Sequence, residues 1–392
     1  MSASPLTITV ALPAGFEAAA ATLALGGELK SSICLISNGS ARLSRAIGDL
    51  EQEDIYRHFL ASTERVLGDC KAEQIVIDRH PDYLSTKYGQ QRAGELNLSV
   101  QQVQHHYAHI AAVMADNGLP LDAKPVLGIA LDGLGFGEDG TIWGGEFLLA
   151  DYSTYQRLGR FQPVAMPGGA AAIHEPWRNT LAHLLPLWET VSTTYADTDI
   201  IRFLNDKPVA IMRSMLASGV NAPLASSCGR LFDAVAAAVG LCRDRVDCEA
   251  QAAIALEQAA SACFDLEATR YNYQISEESN CLQLNWQPMW LELLRDIQLG
   301  RETGTIAARF HRTIINALHV TAVSLCRKQK ADTIALSGGV FQNRLISTHL
   351  VSALQQDGFR VLQHHQVPTH DGGISLGQAV IAAAMRLKEK NR

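Results

Sequence analysis

The stretch Val103-Gln104-His105-His106-Tyr107-Ala108-His109-Ile110-Ala111-Ala112 places two histidines four residues apart at the head of an apolar, alanine-rich run. This run predicts a helix, on which His105 and His109 share one face. Two neutral imidazoles at that spacing can bind one metal ion. His106 falls on a different face, so we expect it to support the ligands rather than to be one of them.

The same spacing occurs in zinc proteases, where a glutamate directly after the first histidine acts as general base. His106 occupies that position here, which excludes the protease chemistry. A third ligand must come from elsewhere. Asp371 stands before two glycines at a loop-to-helix junction and is a candidate, with a helix N-cap as the alternative. Asp132 follows an apolar strand and opens a glycine-rich turn, where an acid can meet a cation or simply belong to the turn.

Two further motifs suit a nucleotide. An apolar strand runs into Ser337-Gly338-Gly339 and then into a helix, so backbone N–H groups can approach a phosphate. An ordinary tight turn is the alternative. Gly229 stands at a predicted helix start, and Asp233 follows four residues later. That acid either bonds a ribose hydroxyl or lies on a solvated helix face.

Composition restricts the class of protein. The chain has 392 residues, of which 47% are hydrophobic and 19% charged, the balance of a globular protein. A net charge of −7 without a basic run argues against nucleic acid as a partner. No apolar run reaches membrane-spanning length and the N-terminus lacks a signal-peptide pattern, so we expect a cytoplasmic protein. None of the eight cysteines forms a Cys-x-x-Cys pair, and we expect buried free thiols.

The order of predicted elements suggests a duplicated α/β fold. Residues 1–27 read as an irregular lead-in, followed by a hairpin around Asn38-Gly39, a helix and a strand. A second hairpin, helix and strand recur later, interrupted by predicted helices. We therefore predict a first lobe over residues 1–120 and a second over residues 121–392, with a helical insert over about 163–300.

Taken in order, the motifs resemble a known family. With His80-Pro-Asp-Tyr-Leu-Ser-Thr-Lys-Tyr88 and His174-Glu-Pro-Trp-Arg178, they are similar to the TsaD-type carbamoyltransferases and especially to the C-terminal domain of HypF, the hydrogenase-maturation carbamoyltransferase. The resemblance runs from about Ser31 to the C-terminus. It implies the actin-like ATPase (ASKHA) superfamily: an α/β fold of two ribonuclease-H-like halves, here with a helical insertion in the second half.

The resemblance also implies site residues. The metal ligands would be His105, His109 and Asp371, with Asp132 as a further candidate and iron or zinc as the metal. ATP or carbamoyl-adenylate would be the nucleotide, its phosphates clamped by the metal, and Mg²⁺ is a further candidate cofactor. The implied nucleotide contacts are Gly229, Asp233, Ser337, Gly338, Gly339 and Asn343.

The implied reaction transfers carbamoyl from carbamoyl-adenylate to the C-terminal cysteine of HypE, whose product becomes the cyanide ligand of [NiFe] hydrogenase. Full-length HypF proteins also carry a Cys-x-x-Cys zinc region and the YrdC-like domain that makes carbamoyl-adenylate, and this chain resembles the transfer module alone. A separate YrdC-like supplier, a longer parent chain or another route stay open. The alternatives are carbamoylation of a small-molecule hydroxyl and a non-catalytic scaffold that binds nucleotide and HypE. No cysteine lies beside a histidine in a motif, so we expect no carbamoylated enzyme intermediate.

Overall fold

The N-terminal part of the chain forms the first of two β-sheets in the computed structural model, which describes residues 4–390. The strands are β1 (Leu6–Ala11), β2 (Thr22–Ala24), β3 (Cys34–Ser37), β4 (Ser40–Ser44), β5 (Gln74–Asp78) and β6 (Ser99–Val103). Their order is β1-β4-β3-β2-β5-β6. β2, β3 and β4 are antiparallel neighbours, whereas β5 and β6 continue from β2 in parallel.

The second sheet repeats this arrangement. Its strands are β7 (Val126–Phe136), β8 (Ile142–Ala150), β9 (Tyr155–Phe161), β10 (Val164–Ala165), β11 (Leu224–Ala225), β12 (Gln274–Glu278), β13 (Cys281–Asn285), β14 (Thr333–Ser337) and β15 (Arg360–Leu362). The central order β9-β8-β7-β14-β15 matches β4-β3-β2-β5-β6, with the same two antiparallel and two parallel pairings. This duplication confirms the two predicted ribonuclease-H-like halves.

Helices connect the strands in corresponding places. The first half contains α1 (Glu53–Asp69), α2 (Leu84–Leu96) and α3 (His105–Asp116). The second half ends with α12 (Thr303–Gln329), α13 (Arg344–Gln356) and α14 (Ile374–Lys390). The inserted helices are α4 (Ala171–His174), α5 (Trp177–Leu184), α6 (Trp188–Thr194), α7 (Asp199–Asn205), α8 (Val209–Ser218), α9 (Cys228–Ala238), α10 (Gln251–Ser261) and α11 (Gln287–Gln298). Over residues 4–390, we find no helix with the length and apolar character needed to cross a bilayer.

Two expectations need correction. Residues 1–27 are not merely an irregular lead-in, because within the described part they contain β1 and β2. β2 has only three residues, all buried, which is too short to show a periodicity. The insert is mainly helical, as predicted, but it also supplies the short strands β10 to β13, of which β12 and β13 extend the second sheet beyond β9.

The last helix of each half packs on the sheet of the other half. α3 lies against β7, β8 and β14 of the second sheet, while α14 lies against β2, β3 and β5 of the first, and the two helices pack on each other. The predicted boundary near residue 120 falls between β6 and β7, but α14 returns across it. The two-domain assignment stays a prediction.

Side-chain size and hydrogen bonds fix the crossing of α3 and α14, the contact at which these two helices pack on each other. Every residue of α3 is buried, which explains its alanine-rich sequence. At the contact between the helices, a Cβ on Gly377 would lie 1.8 Å from the carbonyl oxygen of Ala108. The Gln378 amide bonds the backbone N–H and C=O of Gly26 at 2.9 and 3.1 Å. α14 is therefore tied to the loop after β2.

We predict that Gly377→Ala destabilises the protein by about 2–3 kcal/mol, because the helices must separate to admit the methyl group. Gly94→Ala is the matched control, since Gly94 is an exposed glycine of α2 with no atom within 4 Å of the added Cβ. The control should gain roughly 0.5–1 kcal/mol from helix propensity. Chemical denaturation of both variants measures this. Equal stability of the two would contradict the proposed crossing.

Candidate metal centre

Four side chains from three elements converge where the halves meet. His105 and His109 come from the first turns of α3, and Asp132 lies on β7 at an irregularity in its pairing with β8. Asp371 begins the short 3-10 turn Asp371–Gly373 that leads into α14. Each residue offers one ligand atom, and the four atoms lie within 4.8 Å of one another. The sequence-predicted metal ligands are thus brought together.

The separations within this cluster suit a shared cation better than direct hydrogen bonds. His105 Nε2 lies 3.5 Å from Asp132 Oδ2 and 3.6 Å from Asp371 Oδ1. His109 Nε2 lies 3.9 and 3.5 Å from the same two oxygens. Four ligands around a metal with bonds of ~2.1 Å are roughly 3.4 Å apart. Both Nε2 atoms are buried without a hydrogen-bond partner among the described residues. The donor set fits a divalent metal.

The other ring nitrogen of each histidine has a partner. His105 Nδ1 lies 2.9 Å from the buried carboxylate of Asp78, the last residue of β5. His109 Nδ1 lies 3.2 Å from the Ser337 hydroxyl, which lies 2.8 Å from His364 Nε2. Metal-binding histidines characteristically donate the second N–H to such partners, which fixes the tautomer and aims Nε2 at the metal.

His106 lies beside the cluster without joining it. The Gln104 side-chain amide lies 3.2 Å from His106 Nδ1, while its oxygen accepts the N–H of Tyr107 and so caps α3. Burial, together with the charge of His105, holds the pKa of His106 well below its usual range. His106 therefore stays neutral. Its supporting role remains a prediction that this position suits.

The protonation states of His105 and Asp371 depend on each other. Burial opposes a proton on His105, but Asp371 and Asp78 outweigh it and raise the His105 pKa well above its usual value. Burial likewise opposes ionisation of Asp371, yet His105 and His109 hold its pKa well below the ordinary range. Without a metal, a proton on His105 balances part of the buried negative charge. A metal ion would replace that proton.

Three of the predicted nucleotide contacts lie close to Asp132 through their backbone. The Gly339 N–H approaches Asp132 Oδ1 at 3.3 Å. Gly338 has a φ of +106°, and a Cβ there would meet the Leu131 carbonyl at 2.2 Å. In the first turn of α9, a Cβ on Gly229 would lie 2.9 Å from the Cα of Gly133. Glycine-lined backbone thus flanks Asp132 on two sides.

The side chains of the other three predicted contacts have partners within the protein. Asp233 pairs with Arg230 at 2.9 Å, and Ser337 is fully buried against the two histidines named above. Asn343 caps α13 through the N–H of Ile346. Its amide nitrogen lies 3.0 Å from His311 Nε2. Nucleotide contacts from these three residues stay a prediction. The Ser337 hydroxyl is poorly placed for one, because it contacts His109 instead.

Sequence reasoning missed the outer partners Asp78 and His364. Asp78 offered a signal, because it is an acid at the end of a buried strand, two residues before the His80-Pro81 motif. His364 offered none. It follows β15 by two residues, and only the fold brings it to Ser337.

Two ribonuclease-H-like halves with a His/Asp cluster at their junction define the class: an actin-like ATPase (ASKHA) fold. Two family models match within it, the "HypF Kae1-like domain" over residues 17–116 and the "Carbamoyltransferase, Kae1-like Domain, second subdomain" over residues 128–378. The chain therefore belongs to the HypF carbamoyltransferase family and corresponds to its C-terminal, Kae1-like part. The family resemblance predicted from the sequence motifs is confirmed.

Two curated relatives show the extent of the match. The chain is 36% identical over 378 residues to carbamoyltransferase HypF of Rhodobacter capsulatus, which covers 96% of this chain and 48% of the relative. It is 35% identical over 380 residues to a carbamoyltransferase HypF homolog of Cupriavidus necator, covering 95% of this chain and 93% of that protein. The chain thus spans about half of the first relative and nearly all of the second.

Two solved HypF structures superpose closely on this chain. A crystal structure of full-length HypF in the phosphate- and nucleotide-bound form superposes with a TM-score of 0.86 at 33% identity, over 95% of this chain and 47% of that one. HypF of T. kodakarensis gives a TM-score of 0.81 at 28% identity, over 97% and 49%.

We predict that His109→Ala abolishes stoichiometric metal binding, because it removes one of two nitrogen ligands. His319→Ala is the control: His319 lies on α12 and pairs with Asp357 at 2.8 Å, outside the cluster. Elemental analysis of the purified variants, with circular dichroism as the check of folding, measures the effect. Unchanged metal content in His109→Ala would show that the ligand assignment is wrong.

We predict that metal affinity rises with pH, because the raised pKa of His105 means that a proton competes with the metal until the solution is more alkaline than that pKa. Asp78→Asn removes one cause of the raised His105 pKa, so the affinity should reach its high-pH plateau at a lower pH than in the wild type. The same variant should bind metal about 10–100-fold more weakly at high pH, since His105 loses its orienting carboxylate. Competition titrations with a chelator across pH test both effects. An affinity that reaches its plateau at a higher pH in the variant than in the wild type contradicts the assignment.

Proposed function

We propose that this chain transfers a carbamoyl group from carbamoyl-adenylate to the C-terminal cysteine thiol of HypE, in the synthesis of the cyanide ligand of [NiFe] hydrogenase. The observation that carries the proposal is the His105, His109, Asp132 and Asp371 cluster beside glycine-lined backbone, in a chain of the HypF carbamoyltransferase family. We further propose that this cluster holds one iron or zinc ion.

The residues around the cluster suit the leaving group of such a transfer. A divalent metal bound there would supply positive charge against the adenylate phosphate. Glycine-lined backbone at Gly338 and Gly339 and at the first turn of α9 lies close to Asp132, and a helix N-terminus favours an anion. Asp78 and Ser337 hold the two imidazoles in place, so the charged groups need no rearrangement when substrate arrives.

In the proposed reaction, the acceptor thiol loses its proton to solvent and its sulfur attacks the carbamoyl carbon. A C–S bond forms, the bond from that carbon to the phosphate oxygen breaks, and AMP leaves. A thiolate needs no general base on the enzyme, whereas a hydroxyl acceptor does. The pKa values of the flanking histidines agree with this, because burial lowers those of His364, to about 3, and of His370.

A covalent intermediate on this chain is not expected. Cys228 begins α9 and is fully buried, and both burial and Asp132 raise the pKa of its thiol. That thiol stays protonated and inaccessible. We predict that Cys228→Ser retains carbamoyl transfer, measured as AMP release and acceptor modification by mass spectrometry. Trapping a carbamoylated cysteine on this chain would contradict the direct route.

The test of the proposed function supplies the chain with HypE, ATP and carbamoyl phosphate, with and without a separate YrdC-like protein. Carbamoylation of the HypE C-terminal cysteine that depends on this chain is the expected result. HypE with that cysteine changed to serine is the control acceptor and should stay unmodified.

Transfer to small alcohols without transfer to HypE would replace this proposal with hydroxyl carbamoylation. Binding of HypE without any transfer would favour a scaffold. Activity without the YrdC-like protein would show that the chain activates its own substrate.

The cytoplasmic location stays a prediction.

A further inference from the structure

Tyr83 stacks on His80, which shares the Asp78 carboxylate with the candidate metal ligand His105, and it has no role in the chemistry described so far. It belongs to the His80–Tyr88 motif, which the family resemblance singles out without a function for any of its residues. The side chain is half-buried, and its hydroxyl has no hydrogen-bond partner anywhere in residues 4–390. A phenol in this situation is available to a ligand.

Neighbouring contacts fix the position of this ring. The His80 imidazole stacks on it in parallel, with centroids 4.0 Å apart and an interplanar angle of 3°. The His80 ring also contacts Phe136 of β7 edge to face, at 5.2 Å between centroids. The N–H of His80 bonds Asp78 Oδ1 at 2.9 Å, while Asp78 Oδ2 holds His105. The carboxylate that supports a metal ligand therefore also anchors the stack.

A second path of contacts places the residue next to the same ligands. Leu84, which follows Tyr83, donates its N–H to Glu28 Oε2 at 2.7 Å. Glu28 follows Gly27, where a Cβ would lie 3.8 Å from His105 Cε1 and 3.9 Å from Asp371 Oδ2. Burial raises the pKa of the Tyr83 phenol, and the charged groups that act on it are His105, Asp78, Asp371 and Asp132, all members of the site or its direct support.

The groups around Tyr83 indicate which atom of a substrate its hydroxyl would contact. Three carboxylates near Tyr83 can only accept hydrogen bonds, so its O–H is a donor in a region rich in acceptors. Phosphate oxygens have the glycine backbone and the proposed metal as partners. The other acceptor on a carbamoyl–phosphate unit is the carbonyl oxygen, which gains negative charge when a nucleophile attacks the carbon.

We propose that the Tyr83 hydroxyl donates a hydrogen bond to the carbonyl oxygen of a carbamoyl group held at the metal centre, with the His80 stack fixing the ring. This inference rests on the proposed function and specifies how that site recognises its substrate. Tyr83 is thus a substrate-binding residue, and His80 positions it.

Calorimetry on the full chain, as purified, tests the contact with two probes. Carbamoyl phosphate carries the carbonyl and inorganic phosphate lacks it. Tyr83→Phe keeps the ring and the stack and removes only the hydroxyl. It should weaken carbamoyl phosphate binding by about five- to tenfold, the effect of one hydrogen bond, and leave phosphate binding unchanged. Tyr88→Phe is the matched control, since the Tyr88 hydroxyl bonds Glu64 at 2.5 Å, on the outer face of α2. It should change neither affinity.

A second variant guards against an indirect effect of the phenylalanine. His80→Leu removes the imidazole face while keeping the Tyr83 hydroxyl, and it should also weaken carbamoyl phosphate selectively. Three results would overturn the inference. Tyr83→Phe could weaken both probes equally, or it could weaken neither. The wild-type chain could also bind the two probes with equal affinity. Wild-type binding that favours carbamoyl phosphate, without transfer to any acceptor, would preserve it and count against the proposed function instead.

Discussion

The reciprocal packing of α3 and α14 is the constraint on which the rest of the structure depends. Each helix follows the last strand of one half and lies on the sheet of the other, so neither sheet buries its inner face with its own chain segment alone. The close contact of Gly377 with Ala108 sets the distance between the two helices. Because α3 begins with His105 and the turn before α14 begins with Asp371, the same crossing assembles the candidate metal centre.

The two ring nitrogens of each histidine have different roles in the candidate metal centre. In His105 and His109, Nδ1 contacts a partner in the protein, while Nε2 is buried without a partner in the described part of the chain. An unpaired polar atom in the interior is costly, and two of them facing two carboxylates are readily explained by a cation. The supports differ in kind: His105 is backed by a carboxylate and His109 by a hydroxyl. At His105 the metal competes with a proton that the neighbouring carboxylates favour, since Asp371 and Asp78 raise its pKa.

Most of the fold and the four-residue cluster could be predicted from the sequence, and the reasons are specific. The His105/His109 spacing, the glycines after Ser337 and the acid at Asp371 are local patterns with chemical meaning, and the family resemblance of the motifs, taken in order, joined them into one predicted site. β2 escaped prediction because three residues carry no periodicity. The support of His109 by Ser337 could not be foreseen, since it depends on strand pairing and burial that turn a presumed phosphate contact inward. Nor could the crossing of α14 to the first sheet, which sequence order alone assigns to the second half.

Anomalous diffraction from crystals of the metal-loaded protein would show where the ion binds. We predict one fully occupied peak about 2.0–2.2 Å from the Nε2 atoms of His105 and His109 and from carboxylate oxygens of Asp132 and Asp371. The Nδ1 atoms should keep their contacts with Asp78 and Ser337. A protein that takes up metal elsewhere, or that leaves this cluster empty at saturating metal, would contradict this prediction.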